Sequence, residues 1–157
     1  MIDKKEKEYQ EFGAFLVDYV RDLNHLSEDG WAVLVEGPRD LRALRKLGFS
    51  GELVTVGQFA KQGARSVGAK KVVILTDLDR EGAYLASRCV RLLNQFGLKG
   101  SLAERRRLKR ASRRVFLHVE NLVRFAGASF TDHGIETGVG LEQARMGQRE
   151  DGRSGKT

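Results

Sequence analysis

The sequence predicts an α/β fold built on a parallel sheet, and three observations carry that prediction. Short apolar runs at Trp31–Val35, Leu53–Val56 and Lys71–Leu75, rich in β-branched residues, read as buried strands. Segments with apolar residues at steps of three and four lie between and after them, as helices packed on a sheet require. Strands that alternate with helices at this spacing pair in parallel through right-handed crossovers. The 157 residues, 41% hydrophobic and 31% charged, fit a single soluble domain with a real core.

Each element has its own signal. From Glu8 to Leu26, the residues Tyr9, Phe12, Leu16, Tyr19, Val20, Leu23 and Leu26 form one helical stripe, and Gly30 suits the stop. After the first strand, Gly37 permits a tight turn and Pro38 opens a helix with Leu41, Leu44 and Leu47 on one face. A short helix is expected around Phe59 to Val67, and a longer one from Ala83 to Phe96. Leu102 to Ala111 holds strong helix formers and no breaker. Val115–Val119 reads as the fourth strand of the sheet, and Glu120 to Ala126 as a short closing helix. Residues 1–30 are expected to supply an N-terminal helix packed on the core, 31–126 the domain itself, and 127–157 a flexible tail poor in apolar residues.

The charge is unevenly placed. Of a net +7, all arises between Lys99 and Arg114, where eight basic residues face a single acid, Glu104. A segment so basic is the expected footprint of a surface that meets phosphates, with Arg105, Arg106, Arg107, Lys109 and Arg110 as its candidates. The charged N-terminus lacks the apolar stretch of a signal peptide, and no run approaches the length of a membrane span. The single Cys89 excludes an internal disulfide and a cysteine-based zinc site, so the expected setting is the cytoplasm, with no membrane partner.

Carboxylates mark two strand ends. Glu36 closes the first strand, and Asp77 and Asp79 follow the third. In open parallel sheets, ligands bind beyond the carboxyl ends of the strands. Three carboxylates gathered there repel one another unless a cation lies among them, and hard oxygen ligands on a wet rim suit Mg²⁺. Glu36, crowded by the two aspartates, gains a raised pKa and the makings of a general acid or base. His25, His118 and His133 show no ligand spacing and are read as structural.

Val33-Leu34-Val35-Glu36-Gly37-Pro38-Arg39-Asp40, followed about forty residues later by Ile74-Leu75-Thr76-Asp77-Leu78-Asp79-Arg80-Glu81-Gly82, resembles the Toprim domain. That family serves topoisomerases, bacterial primases, recombination-associated proteins and small ribosomal RNA maturation nucleases. The resemblance implies a compact Rossmann-like domain whose four-stranded parallel sheet is flanked by helices. It implies Mg²⁺ at Asp77, Asp79 and Glu36, and Glu36 as general acid/base. Arg80 matches the position after the Asp-x-Asp pair and is expected to touch a phosphate, with a surface salt bridge to Glu81 as the alternative. Asp40 matches an acidic residue of the first motif, although a hydrogen bond within its helix turn explains it better. The chain shows neither a nucleophilic tyrosine in a separate domain nor a zinc-binding segment, so it looks like the small stand-alone, archaeal-type Toprim proteins.

The function expected is metal-dependent phosphotransfer on RNA or DNA by a nuclease-like enzyme. The alternative is a non-catalytic nucleic-acid-binding module of a larger machine. A haloacid-dehalogenase-like phosphatase, which also opens with Asp-x-Asp after a strand, is a distant third. It gives no reason for Glu36-Gly37 and carries Thr or Val where Glu81 stands.

Overall fold

Four parallel strands organise the computed structural model, which describes residues 3–112 and 118–125. They are β1 (Trp31–Val35), β2 (Leu53–Thr55), β3 (Lys71–Ile74) and β4 (Lys99–Ser101), standing in the order β2-β1-β3-β4. Five α-helices accompany them among the described residues: α1 (Lys4–Glu28), α2 (Pro38–Lys46), α3 (Val56–Gln62), α4 (Arg80–Gln95) and α5 (Ala103–Ser112). A 3-10 turn follows at Val119–Leu122. None of these helices is long and apolar enough to cross a membrane.

The strands read as continuous apolar runs because both faces of the sheet are covered. Val33, Val35 and Val73 point into one cluster with Leu16, Tyr19 and Leu23 of α1, Leu44 of α2, Leu108 of α5 and Leu122. Their alternate neighbours Ala32, Leu34, Val72 and Ile74 enter the other, with Phe59 of α3 and Ala86, Cys89 and Leu93 of α4.

Connectivity decides where a site can form. From β1 the chain passes through α2 on the first face to β2, whereas from β3 it passes through α4 on the second face to β4. β1 and β3 are therefore direct neighbours whose outgoing connections diverge, with Leu34 paired to Ile74. The crevice beyond their carboxyl ends is the topological switch point of the sheet.

The fourth strand corrects the sequence reading. β4 is Lys99–Ser101, paired with β3 from Lys71↔Lys99 to Val73↔Ser101. Of the segment expected in that role, residues 115–117 lie outside the described residues, His118 is in no strand, and Val119 opens the 3-10 turn. The expected tail at 127–157, together with Arg113, Arg114 and His133, also lies outside them.

Candidate metal centre

The residues after β3 form a loop whose backbone is held from several sides. The Asp79 Oδ1 caps α4 by accepting from Gly82 N at 2.7 Å. The buried Thr76 hydroxyl donates to Gly82 O at 2.7 Å. Gly82 is required here by space, since a Cβ would overlap the Asp77 carbonyl oxygen. Glycine at this position thus lets the helix start close enough to bring Asp77 and Asp79 together.

From the neighbouring strand end, Glu36 Oε1 accepts from Asp77 N at 3.1 Å. The expected meeting of Glu36 with the aspartates follows from the β1–β3 pairing. Burial raises the Glu36 pKa above its ordinary value; the Asp77 amide opposes this, and the charges of Asp77, Asp40 and Asp79 add to it. Asp40 is buried and accepts from Gly37 N at 3.0 Å, the helix-turn role expected of it. Burial raises its pKa as well.

Two side chains at the site escape simple sequence logic. His118 Nδ1 stands 3.3 Å from Asp77 Oδ2 and 3.9 Å from Asp79 Oδ2. The next residue fixes it there, because Val119 N donates to Asp77 Oδ1 at 2.8 Å. The hydrogen bond to Asp77 raises the His118 pKa, and the charges of Asp77, Asp79 and Glu120 reinforce the shift against some desolvation. The second is Arg105, expected on the phosphate-binding surface but only 6% exposed. Its Nε donates to Thr76 Oγ1 at 3.1 Å and its Nη2 to Asp77 O at 2.6 Å. Arg105 is thus a cation under the acidic loop; burial lowers its pKa, and Asp79, Glu36 and Asp77 counter that.

Among the described residues, the rest of the basic segment does not form one surface. Lys99 sits at the amino end of the sheet with Nζ 5.6 Å from the Trp31 ring centre, roughly 16 Å along the strands from the carboxylates. Arg107 is clamped by Asp22 at 2.8 Å and Glu104 at 3.4 Å, and packs over the Phe15 and Tyr19 rings. Arg106, Lys109 and Arg110 remain exposed. Arg80 is exposed on the first turn of α4, with no ion pair to Glu81 among the described residues.

Glu36, Asp40, Asp77 and His118 line an open cleft of about 400 Å³, together with Arg39 and Glu120. The donor set suits a divalent cation. Asp77 and Asp79 each commit one oxygen to a backbone amide, so their Oδ2 atoms are left to converge on His118 Nδ1. One ligand atom from each of the three lies within 4.8 Å of the others. Toprim domains bind divalent metal ions and take part in nucleic-acid processing, and the Toprim domain profile matches residues 31–112. A UPF0292 protein of Archaeoglobus fulgidus is 34% identical over 106 residues, covering 68% of this chain and 85% of its own. One from Methanosarcina acetivorans is 32% identical over 127 residues, covering 78% and 84%. A solved protein from Aquifex aeolicus shares the fold with a TM-score of 0.54 at 24% identity, covering 66% of this chain and 94% of its own. Domain match, strand-end carboxylates and sheet order agree: the chain belongs to the Toprim domain family.

Proposed function

We propose that this protein is a Mg²⁺-dependent nuclease-like phosphotransferase acting on RNA or DNA in the cytoplasm. One observation carries the reading: Glu36 meets Asp77 at the switch point of the sheet, where both line an open cleft and Asp79 groups with Asp77. Asp77 and Asp79 would hold the ion, which would supply positive charge to a phosphoryl oxygen. Glu36 handles the proton of the attacking water or of the leaving hydroxyl. Its Oε1 is oriented by the Asp77 amide, and it makes no other hydrogen bond among the described residues. Its raised pKa keeps a proton available at higher pH than an ordinary glutamate does. Arg105 fixes the Asp77 carbonyl from below and so positions the loop rather than the substrate. Arg80, Arg106, Lys109 and Arg110 are free to meet the nucleic-acid backbone.

The test is cleavage of labelled RNA and DNA with and without Mg²⁺, with Glu36→Gln in parallel. Metal-dependent cleavage should fall by about 100-fold or more in the variant while binding persists. Normal cleavage by Glu36→Gln removes the acid/base role. No cleavage by the wild-type chain, with salt-sensitive binding retained, assigns it instead as a binding module.

A further inference from the structure

We propose that His118 is a third protein ligand at the Asp77–Asp79 centre, making it a mixed nitrogen–oxygen site that prefers Mn²⁺ to Mg²⁺. The inference rests on the reading that the acidic pair holds a divalent ion, and it adds the ligand and the selectivity.

The geometry points to coordination by way of three facts. First, the two aspartates are oriented by amides on their other oxygens, Asp77 by Val119 N and Asp79 by Gly82 N. Their Oδ2 atoms, uncommitted to backbone amides, are therefore fixed in place rather than merely near one another. Second, His118 Nδ1 lies 3.3 Å and 3.9 Å from these two oxygens. Adjacent ligands around an octahedral ion with bonds of about 2.1 Å stand about 3 Å apart, so this spacing needs only a small adjustment to admit one. Third, the segment bearing His118 is anchored independently of the ion. Val119, Leu122 and Phe125 are buried in the cluster formed with α1 and α2, while the His118 side chain is 50% exposed over the acidic pair. The half-exposed imidazole is thereby held at the edge of the cleft.

Ligand type then sets the selectivity. Mg²⁺ demands oxygen and dehydrates reluctantly, whereas first-row transition ions accept imidazole readily. Adding one nitrogen to two carboxylates and leaving the remaining positions to water raises affinity for Mn²⁺ more than for Mg²⁺. Sequence spacing hides this ligand, since it comes 41 residues after Asp77.

Pulsed electron paramagnetic resonance of Mn²⁺ bound to the full chain reads the ligand directly. The wild-type protein should show nitrogen hyperfine coupling, and His118→Ala should lose it. By calorimetry, His118→Ala should weaken Mn²⁺ by about tenfold or more and Mg²⁺ by less than about threefold. Absence of nitrogen coupling in the wild type, or equal loss of both metals in the variant, overturns the assignment. Asp77→Asn separates the two levels of the argument. If it abolishes Mn²⁺ binding while the wild type shows no nitrogen coupling, only the role of His118 fails. If Mn²⁺ binding survives Asp77→Asn unchanged, the acidic pair is not the metal site, and this proposal fails with the reading beneath it.

Discussion

Asp77 is the residue on which the site turns. Its amide orients Glu36, its carbonyl takes the Arg105 guanidinium, and its carboxylate holds Val119 N and faces His118. Two of these neighbours keep their protons more tightly in the folded chain than in the unfolded one, Glu36 above its ordinary 4.5 and His118 above its ordinary 6.5. A raised folded pKa lends stability that is complete below the unfolded value and lost as pH rises through the folded one. In metal-free protein, Glu36 should therefore withdraw stability as pH climbs from 4.5, and His118 should do so in a higher window starting from 6.5. The His118 contribution is the smaller, since solvent screens a half-exposed ring. Urea midpoints in EDTA across this range should isolate each loss as a difference from Glu36→Gln and His118→Gln. A wild-type profile that parallels both variants would contradict the assigned environments.

At the scale of elements, α1 lies outside the Toprim match yet supplies much of one core face. Leu16 and Leu23 are fully buried there, and Tyr19 donates its hydroxyl to Glu104 O at 2.7 Å, tying α1 to α5. Leu16→Ala or Leu23→Ala should each cost about 2–5 kcal/mol in chemical denaturation. Tyr84→Ala, on the open side of α4 at 68% exposure, should change stability by less than about 0.5 kcal/mol. What was legible follows the same division. β1, β2, β3 and the stripe of α1 announced themselves because burial demands apolar side chains at fixed periods. β4 did not, because Lys99-Gly100-Ser101 is held by backbone pairing at a sheet edge, where Gly100 fits beneath Leu93 and Ile74. Of Val115–Val119 only His118 and Val119 are described, and Val119 is buried in a 3-10 turn rather than a strand. The meeting of Glu36 with Asp77, and of Asp77 with Asp79, was readable from strand ends. Arg105 carried a usable signal that composition obscured: it shares the buried stripe of α5 with Leu108 and Ser112, at steps of three and four.

For the whole molecule, net charge says less than its distribution. Arg105 neutralises the acidic loop from within, Arg107 is committed to Asp22 and Glu104, and Lys99 stands at the far end of the sheet. Reversing Arg105 to Arg107 as a block would therefore confuse folding with binding, because the buried Arg105 cannot become an acid without exposing the loop carbonyls it satisfies. The informative triple change is Arg106→Glu, Lys109→Glu and Arg110→Glu, all at exposed positions of α5. Each phosphate that a side chain ceases to neutralise takes about 0.7–0.9 off the slope of log affinity against log salt. If these three residues meet the backbone, the slope should become shallower by about 2–3, and affinity should fall without a shift in the urea midpoint. Measured on the Glu36→Gln background, the titration should be free of the cleavage proposed above. Arg107→Glu is the control with the opposite signature: it should lower the midpoint, by breaking the link between α1 and α5, more than it lowers the salt slope. An unchanged slope in the triple variant would move the nucleic-acid face away from α5, leaving the open side of α4, with Arg80 and Arg88 flanking Tyr84, as the surface to test next.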